Sequence, residues 1–271
     1  MGKDVNRSPS FRILFITQED PFYVRIFFEE FLTHYPLREE IVGVVIAPTL
    51  GKRSFASLLR KMYDFYGAKD FVTMGIKYIY YKMRGFVARF LSTDRFYSIR
   101  QVCSYYKVPI MNAENINDQS FLSTVRSLDL DVIISVAAPQ IFRGALIAIP
   151  REGCINIHNA KLPKYRGMLP NFWQMYYSEK KVGTTIHRIN DRIDDGDILL
   201  QLETPILADE TLDSLIIRTK KIGAELMIEA IERLKNGSLQ PIANSSTGAT
   251  YFGFPSKADV SEFRRRGYRL I

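Results

Sequence analysis

The sequence predicts an α/β fold, a doubly wound and mostly parallel sheet with helices on both faces. Three observations carry this expectation. The runs FRILFIT (residues 11–17), IVGVVIAP (41–48) and DVIISVAAP (131–139) are continuously apolar, as strands covered on both sides must be, rather than alternating. Helix-like stretches separate these runs over the first half of the chain. A length of 271 residues, 46% hydrophobic and 24% charged, suffices for one large domain with a substantial core.

Taken in order, Phe11 to Thr17 reads as the first strand, and Pro21 opens a helix through FYVRIFFEEFLTHY. Ile41 to Pro48 is a second strand with a proline stop. KVPIM (107–111) is a short third run, and Asn117 or Asp118 can cap a helix ending at Leu128. Asp131 to Pro139 follows as another strand. Beyond Pro150, CINIH (154–158) is a strand, KLPKYRGMLPN a loop and NFWQMYYSE a helix; GTTIHRIN and DILLQLE are strands flanking the acidic turn DRIDDGD. An amphipathic helix from Glu210 to Leu234 stops at Asn236 and Gly237. Residues 1–237 are thus expected to form one domain, with an insertion at about 51–100 and a short extension at 238–271.

The net charge of +8 is localised. Residues 51–100 hold eleven Lys and Arg against Asp64, Asp70 and Asp94, so this segment carries +8 and the remainder balances to zero; it also holds twelve aromatic residues. A basic and aromatic segment suits an anionic partner, either a phosphorylated substrate or a membrane surface. The alternative is a helical hairpin whose aromatic residues pack on the core while its lysines are solvated. Lys69, Lys77, Lys82 and Arg84 interrupt every apolar run, so the segment is not expected to span a bilayer. Cys103 and Cys154 lack metal-ligand spacing and read as buried thiols. The polar first ten residues lack the apolar stretch of a signal peptide. The expected location is the cytoplasm, with peripheral contact at the inner face of the membrane through residues 51–100.

The chemistry concentrates after residue 150. In a strand, side chains alternate faces, so Asn156 and His158 point one way and Ile155 and Ile157 the other. At the carboxyl end of a parallel strand they lie where open α/β sheets bind ligands. A strand-end Asn and His can equally serve to satisfy the backbone. About 35 residues on, His187 precedes a turn with Asp191, Asp194, Asp195 and Asp197 around Gly196. This turn does not follow the spacing of a calcium loop, and no metal is expected there.

GCINIHNAKLPKYRG (153–167) followed by GTTIHRINDRIDDGDIL (183–199) resembles the folate-dependent formyltransferases. That family shares a strand ending N-x-H, a loop with L-P and a glycine, then G-x-T-x-H and a D-x-G-x-I turn. The matching residues are Asn156 and His158; Leu162, Pro163 and Gly167; Gly183, Thr185 and His187; and Asp194, Gly196 and Ile198. The resemblance runs roughly from Phe11 to Leu234, apart from residues 51–100. It implies a formyltransferase-type sheet, 10-formyltetrahydrofolate as formyl donor, and Asn156, His158 and Asp194 as the catalytic set. Asn156 would face the developing oxyanion, His158 would exchange a proton, and Asp194 would orient it. The resemblance further implies a pterin site at Val136, Ala137, Pro139 and Ile141, closed by Asp191 and Asp195. The loop after His158 departs from the family's serine-leucine-leucine-proline, which puts the acceptor in question; Lys161, Tyr165 and Arg166 are its candidate contacts.

Methionyl-tRNA formyltransferases of this family carry a further barrel domain, for which 34 residues after the long helix are too few. The expected acceptor is therefore a small primary amine, foremost an amino sugar linked to a nucleotide or a lipid, with no nucleic acid partner. Glycinamide ribonucleotide and methionyl-tRNA are the alternative acceptors. A catalytically inactive folate-binding module is the alternative from another class.

Overall fold

The computed structural model describes residues 11–49, 55–88 and 95–271. The elements run β1 (Ile13–Thr17), α1 (Val24–His34), β2 (Ile41–Ile46), α2 (Phe55–Val87), α3 (Ile99–Tyr105), β3 (Ile110–Asn112), α4 (Gln119–Ser127), β4 (Val132–Val136) and α5 (Gly144–Ile147). They continue as β5 (Cys154–His158), β6 (Arg166–Gly167), α6 (Pro170–Tyr176), β7 (Lys181–Arg188), β8 (Ile198–Pro205), α7 (Leu212–Lys235), β9 (Tyr251–Phe252) and α8 (Lys257–Arg265).

Seven strands form the main sheet in the order β3-β2-β1-β4-β5-β7-β8. The first five are parallel, while β7 and β8 add as an antiparallel hairpin on the β5 side. The chain winds outward from β1 in one direction and from β4 in the other, so the carboxyl ends of β1, β4 and β5 border the crevice of a doubly wound sheet. One face is covered by α1, α3 and α7, through Phe27, Phe28, Phe31, Val102, Met227 and Ile231. The other is covered by α4 and α5, through Phe121, Leu122, Val125 and Leu146. Phe15 of β1 lies edge-on to Phe27, Phe28 and Phe31 with ring centroids 6.5, 5.4 and 5.0 Å away. Burying each such ring contributes about 2 kcal/mol.

Two boundaries differ from expectation. Residues 238–271 are built into the body rather than appended to it. β9 pairs with β6, Trp173 Nε1 donates to the Gly253 carbonyl at 3.0 Å, and Phe263 of α8 stacks on Phe172 at 4.6 Å. No long apolar run announces this, because each contact is a single side chain on a short element. Part of the basic segment, 51–54 and 89–94, lies outside the described residues. The rest is one long helical stretch broken at Gly67, whose φ of 66° leaves the helical region. Arg264 of α8 donates to the Tyr66 carbonyl freed by that break and pairs with Asp70 at 2.8 Å. The stretch thereby lies against α8, and further on Gln101 of α3 donates to the Gly85 carbonyl at 2.8 Å.

Candidate active site

β5 carries Asn156 and His158, and β7 pairs with it so that Asn156 is opposite His187 and His158 opposite Thr185. Residues opposite one another in an antiparallel pair share a face. All four side chains therefore point away from α7 and toward the side of the sheet that α4 and α5 cover, next to Ser135 of β4. Ile155 and Ile157 take the opposite face, against α7.

The Asp194 turn closes over this group. Asp194 has a left-handed backbone, φ 51°, and its Oδ2 accepts from the Gly167 N–H at 2.8 Å. Oδ2 lies 3.5 Å from His158 Nδ1, and Oδ1 lies 3.5 Å from His187 Nε2. Gly196 lets the turn approach β7, since a Cβ there would sit 2.0 Å from the Arg188 carbonyl oxygen. From the C-terminal segment, Asn244 Nδ2 donates to the carbonyls of Asp194 and Gly196 at 2.9 and 3.1 Å.

Hydrogen bonds fix the state of both histidines. His158 Nε2 lies 2.8 Å from the Tyr165 carbonyl oxygen, which can only accept, so Nε2 carries the proton. Nδ1, facing Asp194, is then the basic nitrogen. His187 Nδ1 likewise donates to the Arg188 carbonyl at 2.8 Å, and its Nε2 accepts from Asn156 Nδ2 at 3.1 Å. One amide hydrogen of Asn156 remains for a ligand.

The charges are balanced on these contacts. Burial pushes the His158 pKa down, the Asp194 carboxylate and the Tyr165 carbonyl oppose it, and His187 and Lys220 add to the fall. Burial works to raise Asp194, but the two histidines and the Gly167 N–H outweigh it and hold the carboxyl well below the usual range. The site at rest pairs a neutral imidazole with a carboxylate that favours the imidazolium formed once a proton arrives. Cys154, two residues away, is inert, because burial pushes its thiol up to about 12; the same holds for Cys103.

The structure thus brings Asn156, His158 and Asp194 together. It treats the other expected site residues differently. Ala137, with φ 52°, and Pro139 are half-buried and Ile141 is exposed in the loop at the carboxyl end of β4. Asp191 lies across from that loop, 4.0 Å from where a Cβ on Gly144 would sit. The Val136 side chain belongs to the core and its carbonyl accepts from Thr17 Oγ1 at 2.7 Å. Asp195 is taken by an ion pair with Arg166.

The acceptor candidates each have partners within the protein. Arg166 pairs with Asp195 and donates to Asn244 Oδ1 at 3.2 Å, so it ties the loop to the turn. Tyr165 gives its carbonyl to His158, while its ring stacks on Phe252 and its hydroxyl donates to Glu179 at 2.7 Å. Lys161 pairs with Glu203 at 2.8 Å, and Glu203 is opposite Gly183, at the far end of β7 from His187. The folded loop uses these groups to hold itself in place.

Sequence reasoning passed over several residues as site members. His187 and Thr185 were visible in the T-x-H motif, but only the β5–β7 register sets them beside Asn156 and His158. Thr185 Oγ1 donates to the Ala160 carbonyl at 2.6 Å and anchors the loop after β5. Gln140 accepts from the Ile116 N–H at 2.9 Å and donates to the carbonyls of Pro48 and Glu114 at 2.8 and 2.7 Å, which ties the loop after β4 to the ends of β2 and β3. Asn244 had no signal in sequence.

The sequence profile described as Formyl transferase matches residues 89–231. Methionyl-tRNA formyltransferase of Citrifermentans bemidjiense is 34% identical over 161 residues, 59% of this chain and 51% of that protein. Methionyl-tRNA formyltransferase of Halalkalibacterium halodurans is 34% identical over 166 residues, 61% of this chain and 52% of that protein. The chain thus spans about half the length of these curated relatives. Among solved structures, glycinamide ribonucleotide transformylase 1 from Symbiobacterium toebii superposes with a TM-score of 0.60 at 15% identity, covering 90% of this chain and 96% of that one. An N-formyltransferase from Helicobacter canadensis, in complex with folinic acid and dTDP-3-aminofucose, gives 0.56 at 16% identity, covering 90% and 71%. At these identities the likeness is one of fold.

Proposed function

The chain belongs to the formyl transferase family, and we propose that it moves a formyl group from 10-formyltetrahydrofolate to the primary amine of an amino sugar linked to a nucleotide or a lipid. The observation that carries the chemistry is the unprotonated Nδ1 of His158, 3.5 Å from the Asp194 carboxylate on the same face as Asn156. When the attacking amine bonds to the formyl carbon it must lose a proton, and the carbonyl oxygen gains negative charge. His158 Nδ1 takes that proton, Asp194 stabilises the imidazolium, and as the bond from the formyl carbon to the folate nitrogen breaks the proton passes to that leaving nitrogen, restoring the neutral imidazole. The remaining Asn156 N–H donates to the oxygen, an interaction worth about 3 kcal/mol when aimed at the transition state. No covalent link to the enzyme is required.

The residues at hand fit a reduced folate in kind. Ile141, Pro139 and Ala137 offer an apolar wall, and Asp191 opposite offers a carboxylate for the N–H groups of a pterin. The folate would supply an activated formyl group on a ring-linked nitrogen that leaves as a weak base. Support for an anionic acceptor comes from a cleft of about 600 Å³ that reaches Glu19, just past the end of β1, and is lined by Lys82 and Arg100. A second reading, methionyl-tRNA as acceptor, is favoured by the 34% identity to methionyl-tRNA formyltransferases.

The test supplies purified protein with 10-formyltetrahydrofolate and, separately, nucleotide-linked amino sugars, glycinamide ribonucleotide and methionyl-tRNA. Tetrahydrofolate release and the mass of the product are followed. Formylation of an amino sugar supports the reading, transfer to methionyl-tRNA alone replaces it, and folate binding without turnover on any amine reduces the protein to a binding module.

A further inference from the structure

Past the break at Gly67, α2 turns an unusual surface outward. Val72, Ile76, Ile79, Met83 and Phe86 are each 59–65% exposed, and their spacing alternates between four and three residues. On a helix that spacing makes one continuous stripe. The opposite side packs against the body through buried Met74, the Asp70–Arg264 pair and Lys77, whose ammonium is 3.3 Å from Asp213. Arg84, itself exposed, donates from Nε to the Tyr97 hydroxyl at 3.3 Å. The charges expected to face solvent are partly turned in, and the apolar groups are turned out.

We propose that this stripe seats the protein on an anionic lipid surface. A single-sided row of Val, Ile, Met and Phe is the face an interfacial helix buries among acyl chains. Lys69 lies one turn before Val72 and Lys82 one turn after Ile79, on opposite flanks of the stripe, and both are exposed. Tyr80, also exposed, sits beside it with a ring suited to the headgroup layer. Beyond the break the only acidic residue of α2 is Asp70, which is committed to Arg264. Charge decides the occupant: two copies facing each other would oppose lysines with no carboxylate between them, whereas lipid phosphates complement both flanks. No helix among the described residues is long and apolar enough to cross the membrane, so the contact is peripheral. Lys82 and Phe86 also wall the cleft that reaches Glu19, so the cleft opens beside the seated face. The proposal does not depend on which amine is formylated.

The experiment sediments the full chain with vesicles of phosphatidylcholine containing phosphatidylglycerol, and with phosphatidylcholine alone, at low and high salt. Binding to the anionic vesicles, weakened by salt, is expected. The variant Ile76→Ser/Ile79→Ser/Met83→Ser should lose about tenfold or more in binding, and Lys69→Gln/Lys82→Gln should lose binding to the anionic vesicles selectively. Melting temperature with 5-formyltetrahydrofolate should be unchanged in both, which separates this result from failure of the folate site. Equal binding to neutral vesicles, retained binding in both variants, or no binding at all overturns the proposal. So does a dimer of the parent chain, seen by sedimentation equilibrium, that the triple serine variant dissolves.

Discussion

The carbonyl oxygen of Tyr165 holds His158 Nε2 at 2.8 Å and so decides which ring nitrogen can accept a proton. Tyr165 has φ 61° and Asp194, the neighbour of the other nitrogen, has φ 51°. Both partners of the imidazole thus come from backbone that side chains rarely adopt, a condition that surrounding structure must enforce and that clusters at functional sites.

If Asn156, His158 and Asp194 act mainly in the transition state, Asn156→Ala, His158→Ala and Asp194→Ala should each cut turnover by on the order of 10² or more with the fold intact. Steady-state kinetics with circular dichroism checks this. Near-normal turnover in any one variant removes that residue from the set.

The pH profile follows from the His158 shift. Its folded pKa lies below the ordinary value of about 6.5, so the ring is neutral and competent at pH 7, and activity should fall on the acid side with an apparent pKa under that value. Asp194→Asn removes the charge that pulls the pKa up, so the residual activity should titrate lower still. Stability shifts in the same direction. As pH falls through about 6.5 the unfolded chain takes up the histidine proton before the folded one does, and stability declines. Asp194 contributes fully above the ordinary carboxyl range and loses its contribution as pH falls through its depressed folded value. An apparent pKa raised in Asp194→Asn would contradict the pairing.

Gly196→Ala should lower stability by about 1–3 kcal/mol, because the new Cβ meets backbone, which cannot swing aside. Turnover should fall further than stability alone explains, since Asp194 moves with the turn. Denaturant unfolding beside kinetics reads both; a silent substitution would mean the turn does not fix Asp194.

5-Formyltetrahydrofolate should raise the melting temperature, by the equivalent of about 2.7 kcal/mol at a hundredfold excess over its dissociation constant. Asp191→Ala or Ile141→Ser should weaken this shift, and Val136→Ala should not alter it beyond its core defect. The same shift in all three variants would move the folate elsewhere.

Phe263→Ala should cost about 3–5 kcal/mol by emptying the site against Phe172, although it lies near the chain terminus. A chemical denaturation series measures it, and a loss below 1 kcal/mol would mean that residues 238–271 are a loose extension after all.

The fold class and the shared face of Asn156 and His158 were legible in the sequence because their signals are local. An apolar run such as Val132 to Val136 can be satisfied only inside a covered sheet, and Asn156 and His158 share a face by the two-residue period of any strand. Asp194 and Gly196 were legible through the turn they share. What the tertiary structure decided depends on partners remote in sequence. The β5–β7 register brings His187 to Asn156, Asn244 reaches across 50 residues to the Asp194 turn, and Arg166 and Tyr165 are turned from ligand candidates into braces. The same holds for α2. Its composition announced a basic and aromatic segment, but only packing against Arg264 and Asp213 determined that Lys77 would turn inward and Val72, Ile76, Ile79, Met83 and Phe86 outward. A side chain's type is written in the chain, whereas its neighbours, and hence its charge state and its task, are fixed by which segments the fold brings within a few ångströms.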